Sequence, residues 1–333
     1  MFSDIYFRLL LEVIDENPTL KSLPKPPFSS EYQGPLGAVT YFGELIEFIY
    51  EHVPNSDIGM VFGAHMSPIN TCEFSRLITT AATPKESLEL LITHYHMLGL
   101  KPYPLVHRGN DTLSIALTFP YAEVATPLQS RFCSETFFSY CVNSVRQVID
   151  PTLSPRQVYF SYDKPDYADE YIKRFRCPVE FNAPLTLIEF SDHFVDAPLP
   201  TATPALHEVY LKKARDSWHQ LRRHQSTRYR ATTHLMNSAP LGFSSQYLAN
   251  VMNISTRGLQ KRLNSEGTSF SQLTLLVRRE LAKVCLIQRG LDMEETAHVL
   301  GFQTQSSFRK FFKSQFKDNP KKYLSEHFDL SYL

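Results

Sequence analysis

The chain has 333 residues, 43% apolar and 20% charged, enough for two domains with cores of their own and too apolar for a disordered chain. Its net charge of zero hides a division: residues 1 to 206 carry 14 basic against 24 acidic side chains, whereas residues 207 to 333 carry 20 against 10. The basic rear favours nucleic acid or an acidic membrane surface as partner, with solvated surface charge as the plainer alternative, and the lack of any run of 18 apolar residues excludes a membrane-spanning helix.

The front of the chain alternates between helical and strand patterns. Helices are predicted over 3–16 and 36–52, separated by a Pro/Ser-rich loop. Asp4, Arg8, Glu12 and Asp15 interrupt the first segment, so no signal-peptide core is expected there. Thr83-Pro84-Lys85-Glu86 places an N-cap, a proline at the first helical position and a glutamate at the third, opening a helix predicted to reach about Leu98. Two β-rich runs flank Gly109-Asn110-Asp111, a hairpin signal. A helix over 127–148 follows, then strands in RQVYFSY, PVEF and TLIEF. The expected architecture is α+β, not doubly wound. From Pro204 to about Arg223 a helix is predicted with Leu206, Tyr210, Ala214, Trp218 and Leu221 on one stripe, packed on its own domain or against a second copy. A polar, basic stretch, residues 222–234, leads on.

The last hundred residues contain a repeat. LANVMNISTRGLQKRLN (248–264) and TAHVLGFQTQSSFRKFFK (296–313) share a plan: small residue, apolar pair, turn residue, polar gap, basic helix. This is the logic of a helix-turn-helix. Ala249 and Ala297 permit close helix approach, and Asn253 and Gly301 tolerate a left-handed turn. Ile254 and Phe302 plug the corner, while Ser255 and Thr304 cap the second helix. Leu259 and Leu263, or Phe308 and Phe312, then face inward. Left outward are Arg257, Gln260 and Lys261 in the first copy, and Gln305, Ser306, Arg309, Lys310 and Lys313 in the second. Arg and Lys suit guanine, Gln suits adenine, and short hydroxyls such as that of Ser306 suit either bases or phosphates. Between the copies a helix is predicted from about Phe270 to Gln288, with Gly290 as its stop. At 1.5 Å per residue its 18-residue span is about 27 Å, of the order of the roughly 34 Å between successive major-groove segments.

Residues 226–323 resemble the DNA-binding domain of AraC/XylS-type transcriptional regulators. The resemblance is carried by STRGLQKRLNSEGTSF (255–270), LVRRELA (276–282) and TAHVLGFQTQSSFRKFFKSQFKDNPKKYL (296–324). The family pattern commonly has Gly where Asp318 stands and Arg where Leu324 stands. The front is similar to the N-terminal domain of the subgroup named for arabinose binding, in IGMVFGAHM (58–66), TPKESLELLITHYHML (83–98) and YADEYIKRFRCPVEFNAPLTLIEF (167–190).

The resemblance implies an effector-sensing, dimerising α+β domain over 1–205 and a helical linker over 206–225. An all-α domain over 226–333 follows, with two helix-turn-helix units joined by a helix. It further implies a cytoplasmic regulator, an activator by family tendency, that binds double-stranded promoter DNA as a homodimer, answers an unidentified small molecule and helps recruit RNA polymerase. The DNA-facing set is Ser255, Thr256, Arg257, Gln260, Lys261, Thr304, Gln305, Ser306, Arg309, Lys310 and Lys313. Two alternatives are an enzyme-like small-molecule domain tethered to DNA and a DNA-binding protein without sequence preference.

Neither catalysis nor a cofactor is expected. His94 and His96 are two apart and would not face one another on a helix, so no metal site is expected. Asp163, Asp166, Asp169 and Glu170 suit a solvated turn and helix start. Met60, Phe62, His65 and Met66 are core and turn residues before they are a ligand cavity. The five cysteines, Cys72, Cys133, Cys141, Cys177 and Cys285, form no C-x-x-C pair and imply neither disulfides nor zinc, which fits a reducing compartment.

Overall fold

Two strands rich in β-branched and aliphatic residues, β1 (Tyr103–Gly109) and β2 (Thr112–Thr118), pair antiparallel with Gly109 opposite Thr112. Asn110 and Asp111 both adopt positive φ, 52° and 56°, giving the tight turn whose twist matches the strands. Sheet order is β1-β2-β5-β3-β4, with β3 (Gln157–Tyr159), β4 (Val179–Glu180) and β5 (Thr186–Ser191). Only the β3–β4 pair is parallel. This computed structural model describes residues 2–24, 35–68, 73–94, 102–120, 126–222, 225–239 and 243–327. It divides into two units, Met1–Gln220 and Leu221–Leu333.

In the first unit, helices α1 (Phe2–Glu16), α2 (Pro35–His52), α3 (Ile58–His65), α4 (Glu73–Thr79) and α5 (Pro84–His94) precede the hairpin. α6 (Pro127–Val148) and α7 (Ala168–Phe175) follow it, and α8 (Pro204–Arg222) comes last. The acidic segment 163–170 does open a helix, with Asp169 and Glu170 in the first turn of α7. Thr83 caps α5 as expected, accepting from the Glu86 N–H at 3.2 Å, while the Glu86 carboxylate reaches back to the Ala82 N–H at 2.7 Å. The predicted end of that helix and most of the His94-Tyr95-His96 cluster lie outside the described residues.

α3 is a helix where only core and turn were expected. Its Gly59 and Gly63 allow close packing on α6: a Cβ on Gly59 would stand 2.5 Å from a Glu135 carboxylate oxygen, and one on Gly63 would stand 2.2 Å from the Thr136 carbonyl. Thr136 donates its hydroxyl to the Gly59 carbonyl at 3.1 Å. Met60, Phe62 and Met66 are all core, as expected, and Phe62 and Met66 also line a cavity of about 30 Å³. His65 is exposed.

Beside this packing Glu135 is wholly buried. Its oxygens accept from Arg131 Nε at 3.1 Å, Tyr167 Oη at 2.9 Å, Tyr50 Oη at 3.4 Å and Tyr171 Oη. The Arg131 guanidinium also lies over the Tyr50 and Tyr167 rings, at 5.4 and 4.7 Å. A carboxylate without water needs such partners. Burial pushes the Glu135 carboxyl above its ordinary range, against the pull of Arg131 and the tyrosine hydroxyls.

On α8 the predicted stripe is only partly covered. Ala214 is buried, Tyr210 is half-buried, and Leu206 and Val209 are 47% and 49% exposed. The start of α8 is tied to its own unit: His207 Nε2 lies 3.6 Å from Glu86, and its Nδ1 lies 3.4 Å from the Thr80 hydroxyl. The division between units falls inside this helix, after Gln220. The side chains of Trp218 and Leu221 lie outside the described residues. Among those residues no helix is long and apolar enough to cross a membrane.

Candidate nucleic-acid interface

Among the described residues the regular structure of the second unit is all helical: α9 (Thr227–Asn237), α10 (Ser245–Val251), α11 (Thr256–Ser265), α12 (Phe270–Lys283), α13 (Met293–Val299), α14 (Gln305–Phe316) and α15 (Pro320–His327). α9 occupies most of what reads in the sequence as a polar basic stretch. Its buried face includes Ala231, Leu235 and Met236 beside Thr232 and Thr233, whose hydroxyls donate to the Arg228 and Tyr229 carbonyls at 3.0 and 3.1 Å. Glu266, at the end of α11, accepts from the first backbone N–H groups of α9, Thr227 at 2.8 Å and Arg228 at 2.7 Å. A carboxylate placed there satisfies donors that a helix start leaves unpaired.

Helices α10 and α11 make the first helix-turn-helix, and α13 and α14 the second. Asn253 and Gly301 hold the left-handed turn conformation, φ 54° and 70°. Ala249 and Ala297 are buried where the helices approach, and Ile254 and Phe302 are half-buried at the corners. Ser255 caps α11 by accepting from the Gly258 N–H at 3.0 Å, and Thr304 caps α14 by accepting from the Ser307 N–H at 3.1 Å. Leu259, Leu263, Phe308 and Phe312 are fully buried.

The expected DNA-facing residues fall on the opposite faces. Arg257, Gln260, Lys261, Ser306, Arg309, Lys310 and Lys313 are exposed, as are the caps Ser255 and Thr304, while Thr256 and Gln305 in the first turns are half-buried. The Ser255 oxygen is committed to the helix, which leaves its hydroxyl proton to donate, whereas the Thr304 hydroxyl also shares a hydrogen bond with that of Ser307 at 2.9 Å. Among the described residues none of the six cations on these two helices, Arg257, Lys261, Arg262, Arg309, Lys310 and Lys313, is in an ion pair. Five exposed residues on these helices were not among those predicted, Arg262, Asn264, Ser265, Ser307 and Ser314; of these Asn264 lies one turn beyond Gln260 and Ser314 one turn beyond Lys310. Continuing each outward face by four residues was the signal that could have found Asn264 and Ser314.

The connecting helix departs from the expected uniform rod. α12 ends at Lys283, and Val284–Gln288 form a π-helical turn, closed by the Arg289 N–H on the Val284 carbonyl at 3.0 Å. A π turn advances less per residue than an α turn, so the spacer falls short of its expected length. Gly290 ends it with φ 60°.

From α12 Arg278 reaches both helix-turn-helix units. Its guanidinium lies 4.6 Å from the Phe243 ring, just before α10, and 4.6 Å from the Phe302 ring. Its Nε donates to the Leu300 carbonyl at 2.9 Å, at the electronegative end of α13.

The left-handed residue closing α14 is Lys317, φ 61°, one position before the Asp318 at which the resemblance placed glycine. Asp318 instead pairs with Lys322 at 2.8 Å and accepts from the Asn319 N–H at the same distance.

Residues 38–199 match the model of the arabinose-binding domain of AraC transcription regulators, and residues 248–326 match that of a helix-turn-helix domain. The ornithine utilization regulator of Pseudomonas aeruginosa is 23% identical over 260 residues, covering 77% of this chain and 75% of that protein. The HTH-type transcriptional activator CsvR of Escherichia coli is 28% identical over 78 residues, 23% of this chain and 29% of CsvR. The crystal structure of the transcriptional regulator CdpR from P. aeruginosa has the same fold, with a TM-score of 0.52 at 21% identity over 97% of this chain and 98% of that one. With residues 38–199 matched to the arabinose-binding domain of AraC transcription regulators and residues 248–326 to a helix-turn-helix domain, the chain belongs to the AraC family of DNA-binding transcription regulators.

Proposed function

We propose that α11 and α14 enter successive major-groove segments of promoter DNA, and that the first unit binds a small-molecule effector and pairs two chains. The observation that carries the DNA reading is the outward array of Arg257, Lys261, Arg309, Lys310 and Lys313 on two capped helices whose opposite faces are fully buried. The cations supply salt-dependent affinity through phosphates, and Gln260, Gln305 and the arginines supply preference among base edges. In this reading residues 1–205 sense and dimerise, 206–225 link, and 226–333 bind DNA. Exposed Leu206 and Val209 on α8 support a contact with a second copy.

The regulator acts in the cytoplasm, as an activator that recruits RNA polymerase; a relative named as an activator supports that sign. No catalytic step is assigned to it. Burial pushes the thiol of Cys141 up to about 12 and those of Cys177 and Cys285 up to about 11, so they stay protonated and poorly nucleophilic.

Selection of bound sequences from random duplex DNA with the full chain tests the reading. An asymmetric site with two preferred segments about one helical turn apart is expected. Binding that every competitor sequence abolishes equally would leave a basic module without sequence preference.

A further inference from the structure

The first unit contains a second, larger cavity of about 100 Å³, walled by α4, α5, α6, β2 and β5. Among the described residues no Asp, Glu, Lys, Arg or His lines it, and its surface is almost wholly hydrocarbon, with Leu113, Ile115, Val145 and Phe190 among the walls. An apolar cavity of about 150 Å³ stays dry and takes a benzene-sized guest, so a space of this order holds one small ring or a short alkyl chain.

The hydroxyls at its wall are not equivalent. Thr79 donates to the Ser75 carbonyl at 3.0 Å, and Ser87 donates to the Ile78 carbonyl at 2.5 Å. Ser144 on α6 also lines the cavity, yet its hydroxyl is buried with no hydrogen-bond partner among the described residues. A buried hydroxyl left unpaired is destabilising unless something else meets it.

We propose that this cavity is the effector site, and that it takes a small neutral molecule, one ring or a short alkyl chain, with a single polar group hydrogen-bonded to Ser144. Calling that molecule the effector rests on the regulator reading above. A sugar does not suit these walls, because most of its hydroxyls would be stripped of water and left without partners. Neither does a charged amino acid or a fatty carboxylate, which would find no counter-charge.

The position of the cavity gives its occupancy a route outward. Leu199 is part of the wall, and its N–H donates to the Ala82 carbonyl at 3.0 Å. Thr201 donates its hydroxyl to the carbonyl of Thr79, another wall residue, at 2.6 Å. The Thr203 N–H donates to the Thr80 carbonyl at 3.3 Å, one residue before α8 begins. A guest that displaces Thr79 or Leu199 therefore moves the strap from which α8 departs.

Calorimetric titration of the full chain with phenol, toluene, n-hexanoate and L-arabinose tests the proposal. Phenol and toluene should bind saturably, phenol more tightly, and the other two should not compete. Ser144→Ala, which removes one oxygen, should weaken phenol about fivefold and leave toluene within about twofold. Val145→Trp should exclude both rings; if it fails to fold, the phenol-to-toluene ratio in Ser144→Ala still decides. The proposal is overturned if neither ring binds the wild-type chain, if L-arabinose or n-hexanoate binds more tightly than phenol, or if Ser144→Ala weakens both rings alike. Operator binding measured on the same preparation separates the two readings. A selected operator without ring binding sinks the cavity assignment alone, whereas ring binding without any preferred DNA sequence sinks the regulator reading and leaves a ligand site of unassigned purpose.

Discussion

The two helix-turn-helix units share a backbone plan and differ in what fills it. The first is closed by aliphatic side chains, Ile254, Leu259 and Leu263. The second is closed by a chain of rings: Phe302 lies 5.7 Å from Phe308, Phe308 5.9 Å from Phe312, and Phe312 4.3 Å from Phe316 and 5.5 Å from Tyr323. The second also opens with a complete capping box, Asp292 with Glu295, where α10 has the single cap Ser244. The plan is therefore set by the small alanine, the left-handed turn residue and the cap, and the packing material is exchangeable provided its volume fits.

The strongest way to break the equivalence is to empty each core. Phe308→Ala should cost about 3–5 kcal/mol and Leu259→Ala about 2–5 kcal/mol in denaturant unfolding, with the larger loss in the ring-filled unit because its neighbours all pack on one another. A Phe308→Ala loss that exceeds the Leu259→Ala loss by no more than the extra volume removed would mean that the ring contacts add nothing beyond volume.

Next comes the residue common to both. Arg278→Ala removes two ring contacts and a charged hydrogen bond and should cost about 2–4 kcal/mol. Arg278→Lys should recover little, because a point charge cannot lie flat between two rings. Full recovery by lysine would show that charge alone matters there.

On the outward faces the comparison concerns bases. Arg257→Ala and Lys310→Ala should each weaken a selected operator by about 1–3 kcal/mol and relax preference in different segments of it, with the melting temperature unchanged. If both relaxed the same segment, the units would not read separate groove segments.

The smallest effect separates the helix ends. α11 is followed by Gly267 with φ 72°, and α14 by Lys317 with φ 61°. Gly267→Ala should destabilise by about 1 kcal/mol, and Lys317→Gly should stabilise by up to about that amount, as read from thermal unfolding.

What could be read from the sequence followed how locally each feature is encoded. α11 and α14 were legible because leucines or phenylalanines four residues apart sit just after a Ser or Thr cap. The β1–β2 hairpin was legible because two turn-forming residues separate two β-rich runs. α9 was hidden because its inward face uses Thr232 and Thr233, which look polar until their hydroxyls are seen returning to the backbone. α3 was hidden because apolar residues surround it on every side, so no period stands out. The Glu135 cluster had no signal at all: Tyr50, Tyr167 and Tyr171 come to it from 85, 32 and 36 positions away. The left-handed Lys317 was missed because a lysine gives no hint of positive φ.

Arg278 also bears on how strictly an operator must be spaced. Because one side chain lies against Phe243, just before the first helix-turn-helix, and Phe302 in the second, on the proposed reading contact of α11 with DNA would present α14 at a high effective concentration and in a restricted orientation. A pair held in this way gains affinity from the second contact only when the two DNA segments match its geometry, so inserting or deleting a base pair between them is penalised twice, by distance and by rotation about the duplex. Loosening the clamp would lower affinity for the best site and flatten the penalty for poor ones. On the proposed reading, the arginine that holds the two units together would also be the ruler of their binding site.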